Sequence, residues 1–137
     1  LSSAASDVYK RQGIQCHVEV EEGVFFTEVR ALDLITIISI LCDNAIEATV
    51  LADKPKLSIA IFKMGNQSVI VVENSTKEAY IDVTPLKQRG FSTKGTGRGL
   101  GLANIEEILF RYDNVTLETE SAQHRFVQLL SITPKED

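Results

Sequence analysis

The run from Ile35 to Cys42 is apolar except for Thr36 and Ser39, and it lies inside a longer stretch in which Leu34, Ile37, Ile38, Leu41, Ala45 and Ala48 recur at spacings of three and four. That period predicts a helix with one side turned to a core, opening at Asp33, whose carboxylate can cap it, and closing near Ala52. The apolar run is too short to cross about 30 Å of hydrocarbon, so it must be buried in protein. The fold therefore has to supply a surface that covers this helix.

The flanking segments are β-rich. Ile14, Cys16, Val18 and Val20 alternate with Gln15, His17 and Glu19, which predicts a strand, and Val24 to Phe26 extends it past a Glu-Glu-Gly turn. Pro55 closes the turn after the helix. Leu57 to Phe62 and Val69 to Val72 read as an antiparallel hairpin. A second helix is expected from Gly99 to about Tyr112, with Leu102, Ile105, Ile108 and Leu109 as its apolar stripe, followed by strands at Val115 to Glu120 and Phe126 to Ile132. Between hairpin and second helix, residues 75–98 show little periodicity and hold Pro85 together with Gly90, Gly95 and Gly97. A loop of that length inside a compact domain is usually functional, and it is expected to be a lid over a ligand. The order of elements predicts an α+β fold, a two-layer α/β sandwich with helices on one face of a mixed, mostly antiparallel sheet.

A chain of 137 residues, 44% hydrophobic, suffices for one domain with one core. Residues 1–12 are Ser/Ala-rich without an apolar period and read as a non-native or disordered remnant, leaving residues 13–137 as the domain. A net charge of −5 argues against a general nucleic-acid or membrane-surface binder. The two cysteines, Cys16 and Cys42, lack metal or disulfide spacing and are expected to be buried free thiols, as suits the cytoplasm. The opening residues show no charged-then-apolar signal pattern, so nothing in them is expected to direct export. Locally the charge reverses. Between Val83 and Ile105 there is no Asp or Glu, whereas Lys87, Arg89, Lys94 and Arg98 lie there among glycines, an arrangement suited to an anionic ligand.

Two segments carry the chemistry. In the first, Leu41-Cys-Asp-Asn-Ala-Ile-Glu-Ala48, Asn44 shares one side of the helix with Ile40 and Glu47, and its carbonyl oxygen can ligate magnesium or a magnesium-bound water. Magnesium is commonly held by one or two protein oxygens plus substrate phosphates, which suits a nucleotide. The plainer alternative is that Asp43, Asn44 and Glu47 form the solvated end of an amphipathic helix. In the second segment Gly95, Gly97, Gly99 and Gly101 alternate with Thr96, Arg98 and Leu100. Each glycine in a helix costs about 1 kcal/mol relative to alanine, so several at a helix start imply a close approach of backbone to something, phosphate being the natural candidate. GxxxxGK[ST] is absent, and GxGxxG fails at Leu100 and Leu102, so neither a P-loop nor a Rossmann site is expected. Asn74 ends the Val69–Val72 run and can accept a hydrogen bond from an adenine amine, although a strand-ending Asn is also a common turn residue.

Taken together these residues resemble the GHKL, or Bergerat, superfamily shared by DNA gyrase, mismatch-repair ATPases, heat-shock chaperones and histidine kinases, over about residues 14–132. Leu41 to Ala48 is similar to its N box, and Gly95 to Leu102, preceded by Phe91 to Lys94, to its glycine-rich G2 box and lid. The strings DNAIEA and GFSTKGTGRGLGL most resemble the ATP-binding catalytic domain of sensor histidine kinases, in particular the peptide-pheromone quorum-sensing branch of Gram-positive bacteria. The resemblance implies ATP and Mg²⁺ as ligands. It makes Asn44 the magnesium-organising residue with Asp43 and Glu47 beside it, and puts Asn74 where most members have an adenine-reading Asp. Thr93, Lys94, Gly95 and Arg98 then belong to the lid around the phosphates, with the amides of Gly97, Gly99, Leu100 and Gly101 cradling them. Two positions depart from the pattern: the DxGxG box is reduced to Asn74-Ser75-Thr76, and Ile40 stands where gyrase-like ATPases carry a water-activating Glu.

Such a domain transfers the γ-phosphoryl group to a histidine on a separate dimerisation domain, and its parent works with a response regulator and meets the membrane only through other segments. His17 and His124 lie in strand-like contexts and are not expected to be the acceptor. Two alternatives share the fold: an anti-sigma-type serine kinase, and a non-catalytic interaction module that has lost the nucleotide.

Overall fold

This computed structural model describes residues 13–83 and 98–135. The elements are β1 (Gln15–Val20), α1 (Ala31–Thr49), β2 (Lys56–Met64), β3 (Gln67–Ser75), α2 (Arg98–Leu109), β4 (Val115–Ala122) and β5 (Arg125–Ile132). The strands form one sheet in the order β1-β2-β3-β5-β4. The β2–β3 and β4–β5 hairpins join through an antiparallel β3–β5 pair. β1 adds to the β2 edge in parallel, which its α1 crossover makes possible. The expected sandwich is the observed one. The extension past the turn is not found: Val24 to Phe26 form no strand, and β1 ends at Val20, where the alternation ends.

Both helices lie over one face. Ile37 and Leu41 of α1, Ile105 of α2, Ile70 of β3 and Leu130 of β5 are wholly buried in a single cluster that also takes in Ile14, Leu57 and Val115. This is where the stripe read from the sequence turns, with spacings of three and four placing its residues on one side of each helix. Cys16 and Cys42 are half-buried thiols. Burial pushes the Cys42 thiol up, and the Asp43 carboxylate adds to the effect, so the group stays a neutral thiol. Among the described residues no helix is long and apolar enough to cross a membrane.

Asp33 corrects one expectation. It caps nothing: α1 begins two residues earlier, with Arg30 at its N-cap and no side-chain cap bond. The Asp33 carboxylate instead accepts from Arg111 Nη2 at 3.0 Å and from the Tyr112 hydroxyl, while the backbone N–H of Arg30 donates to that hydroxyl at 3.2 Å. These bonds tie the start of α1 to the turn after α2, so the two helices lie antiparallel. The Tyr112 hydroxyl holds the Asp33 carboxyl below its ordinary value against the opposing effect of burial, with the Arg111 and Arg30 guanidiniums adding to the lowering.

A carboxylate lowered in the folded state contributes stability that is complete above its unfolded pKa and is lost as pH falls through its folded pKa. Urea midpoints measured from neutral pH down through the carboxylate range are therefore expected to fall more steeply for the parent than for Asp33→Asn. Equal slopes would show that Asp33 is not coupled to folding.

Candidate functional site

The end of the sheet where β3 finishes and β5 begins is closed by two residue pairs in register, Asn74 with Phe126 and Val72 with Gln128. All four side chains point to the helical face. Asn74, Phe126 and Gln128, together with Asn44, Ala45 and Ala48 of α1 and Leu102 of α2, line a narrow cavity of about 10 Å³. A wider groove of about 490 Å³ opens between α2 and the edge strand β4, but Glu106, Glu118 and Glu120 line it. Three carboxylates repel a polyphosphate, so the smaller pocket is the candidate.

The helix brings Asn44 into this pocket and leaves its neighbours outside. Asn44 is 9% exposed and sits between the core residues Leu41 and Ala45, whereas Asp43 and Glu47 are exposed and do not line the cavity. Asn74, 2% exposed, donates through Nδ2 to the Ser75 carbonyl at 3.0 Å. That bond takes one of the two Nδ2 hydrogens and leaves Oδ1 as the acceptor.

Behind Asn74 a hydroxyl network holds the strand end. Thr49, wholly buried at the end of α1, has its Oγ1 2.9 Å from Ser75 Oγ and donates to the Lys56 carbonyl at 3.0 Å, and the Lys56 N–H donates to Ser75 Oγ at 2.8 Å. Three elements are thus tied together one residue from the pocket.

At the helix start, Arg98, Gly99 and Leu100 form the first turn of α2, a turn with no acidic residue. The first-turn N–H groups have no acceptor within the helix itself, and with the macrodipole, equivalent to about half a positive charge, they favour an anion. Gly101 has a second reason to be glycine. A Cβ built on it would stand 2.1 Å from Ile40 Cγ2 and 3.3 Å from Ile40 Cβ, so the two helices touch backbone to side chain at this point. The close approach expected of the glycines is, at this position, to Ile40. Thr93, Lys94, Gly95 and Gly97 lie outside the described residues.

The beginning of the expected lid is fastened down. Ser75 still belongs to β3; beyond it the Thr76 N–H donates to His124 O at 2.9 Å, the His124 N–H to Ala79 O at 2.9 Å, and the Ile81 N–H to Ser121 Oγ at 2.9 Å. The hairpin tip that receives them has Gln123 at φ 53° and His124 at φ 61°, the left-handed pair that a two-residue β-turn requires. His124 thereby has a backbone role at the base of the loop. His17 is exposed, with Nε2 3.0 Å from Glu19 Oε1.

This arrangement of helix, strand end and glycine-led helix around one pocket is matched by a family profile: that of the GHKL domain covers residues 29–133. The chain belongs to the GHKL domain family. Sensor protein CitS of Bacillus subtilis (strain 168) is 37% identical over 75 residues, covering 54% of this chain and 14% of that protein. The catalytic domain of histidine kinase ThkA superposes with a TM-score of 0.75 at 24% identity, over 96% of this chain and 88% of that one. The mycobacterial sensor histidine kinase MprB superposes with a TM-score of 0.65 at 14% identity, over 96% and 91%. At these identities the structural likeness is one of fold, and this GHKL domain spans a small part of CitS.

Sequence reasoning missed three contributors to the GHKL pocket: Leu102 as a wall, Phe126 as the partner of Asn74, and Gln128. A signal for the last was present. Gln128 occupies an inward position in the alternation Phe126, Gln128, Leu130, Ile132, where an apolar residue is expected.

Proposed function

We propose that this GHKL domain is the ATP-binding catalytic part of a two-component sensor histidine kinase, which positions MgATP for attack on the γ-phosphoryl group by a histidine of a separate dimerisation domain. The observation that carries the reading is the meeting at one pocket of Asn44 from α1, Asn74 from the end of β3, and the start of α2 through Leu102. The residues fit the ligand. Asn44 offers magnesium an oxygen, and among the described residues no group of three or more His, Cys, Asp or Glu offers it an all-protein cage, so a site shared with phosphates suits the metal. Asp43 and Glu47 flank Asn44 at the rim. The amides of Gly97, Gly99, Leu100 and Gly101 bind phosphate oxygens at the helix N-terminus. Lys94 and Arg98, with Thr93 and Gly95 between and beside them in the lid, neutralise developing charge.

Bound magnesium supplies charge neutralisation at the phosphates, and the protein's share is alignment. Ile40 supports transfer to a protein rather than to water. It packs its side chain against Gly101 and offers no base. A general base typically contributes about 10²–10⁴-fold, which a hydrolase would forgo here. CitS is named a sensor protein, and ThkA has been solved with the response regulator TrrA, with a TM-score of 0.73 to this chain. The first supports a sensor parent and the second a parent that acts on a response regulator; anchorage of that parent in a membrane belongs to the same proposal. The strings DNAIEA and GFSTKGTGRGLGL support the peptide-pheromone branch.

The test has two arms. MgATP at about 100 times its Kd is expected to add roughly 2.7 kcal/mol of stability in a thermal-shift titration. Mixed with the parent's dimerisation domain, the protein is expected to yield acid-labile phosphohistidine. Acid-stable phosphoserine on a partner would favour the serine-kinase alternative. The absence of any stabilisation would leave only an interaction module.

A further inference from the structure

Gln128 is 3% exposed, lines the pocket, and among the described residues its carboxamide makes no hydrogen bond. Among the described residues the sealed side-chain atom without a partner is Asn114 Oδ1, so the Gln128 amide opens onto the pocket, where a ligand's polar atoms can replace solvent. Its position fits that role. Asn74 stands opposite Phe126 in the β3–β5 register, and Gln128 is two residues further along β5 on the same face. This makes it the diagonal neighbour of Asn74, at about 7–8 Å between backbones, a span that a long carboxamide side chain shortens.

We infer that Gln128 is a second reader of the nucleotide base, donating through Nε2 to adenine N1 while Asn74 Oδ1 accepts from the exocyclic amine. The inference rests on the nucleotide reading above and adds to it a residue that determines specificity. The sugar and triphosphate leave the purine from its five-membered ring and must run towards Asn44 and the start of α2. The six-membered ring, with N1 and the amine, therefore meets the two most buried carboxamides.

Adenine presents a donor at the amine and an acceptor at N1; guanine presents an acceptor at O6 and a donor at N1. Turning the Asn74 amide to meet that reversal would break its Nδ2 bond to the Ser75 carbonyl, which biases it towards adenine. Gln128 adds a second hydrogen bond in the pattern that Asn74 sets, and the discrimination against guanine rests on Asn74. The pair thus does the work of the Asp that the reduced box lacks, with two neutral amides in place of one carboxylate.

The experiment is a binding cycle between one side chain and one ring atom. MgATP and magnesium 1-deaza-ATP, in which N1 is replaced by C–H, are titrated into the parent, Gln128→Leu and Gln128→Met, with folding checked by circular dichroism. The parent is expected to bind 1-deaza-ATP about tenfold more weakly than ATP, as the loss of one hydrogen bond to a buried partner implies. Both variants are expected to bind the two nucleotides equally, each at the parent's weaker value. If the parent does not distinguish the two ligands, or if the variants keep the tenfold difference, Gln128 is not the N1 partner and the inference fails alone. If the parent binds neither nucleotide, the inference and the nucleotide reading fail together.

Discussion

Asn44→Ala is expected to bring magnesium-dependent ATP binding down to a Kd weaker than about 1 mM, which corresponds to less than about 4.1 kcal/mol of binding free energy. The size of the effect follows from how magnesium is held. The ion keeps several waters and takes few protein ligands, the rest coming from phosphate oxygens. With Asp43 and Glu47 exposed and Asn44 alone of the three lining the pocket, the proposed site has one side chain whose oxygen would fix the metal relative to the protein. Folding should change little. Alanine is the best helix former, and the neighbours that hold α1 to the sheet, Leu41, Ala45 and Ala48, are untouched. The loss on the folding side is expected to stay near the 1 kcal/mol typical of one hydrogen bond. Calorimetric titration with ATP in the presence and absence of magnesium checks both parts. Binding of MgATP within twofold of the parent would remove Asn44 from the metal site. Asn44→Asp, which keeps an oxygen at the same place, should recover most of the affinity.

The elements of this fold could be read from local pattern because each buries one face. Leu34, Ile37, Leu41, Ala45 and Ala48 specify α1 by their spacing, and the alternation of Phe126, Leu130 and Ile132 specifies β5. What stayed hidden depends on contacts distant in sequence. Asp33 has the chemistry of a cap and stands where a cap belongs, but partners 78 and 79 residues away recruit its carboxylate, and the helix starts before it. No local window contains Arg111 and Tyr112. The parallel pairing of β1 with β2 was hidden for the same reason, since alternation within a strand says which face is buried and nothing about its neighbour. In the pocket, Asn44 and Asn74 were legible because an amide at the end of an apolar element is conspicuous. Gln128 lies between residues that look like ordinary core, and its meaning appears only once the register sets it diagonally from Asn74.

Gly101→Ala is expected to destabilise the fold by about 2 kcal/mol, against the direction that helix propensity alone predicts. Replacing glycine by alanine inside a helix ordinarily gains about 1 kcal/mol, and at this position that gain is outweighed. The new methyl would lie 2.1 Å from Ile40 Cγ2, far inside contact distance, and Ile40 has little means of retreat because its branch point, Cβ, is itself only 3.3 Å away. A β-branched side chain in a helix has one strongly preferred rotamer, so relief must come from moving one helix off the other. Overpacking of this kind costs typically about 1–3 kcal/mol, and an overlap this deep belongs at or above the top of that range. Urea unfolding at constant slope measures the difference. The double variant with Ile40→Ala supplies the decisive comparison. In that background the clash is gone, and Gly101→Ala should become neutral or stabilising by up to about 1 kcal/mol, a reversal of sign that only direct contact between the two residues produces. Destabilisation of equal size in both backgrounds would mean that Gly101 is required for some reason other than Ile40. The same displacement would draw the first turn of α2 away from Asn44, so the single variant should lose affinity for MgATP as well as stability, and Ile40→Ala should restore both together.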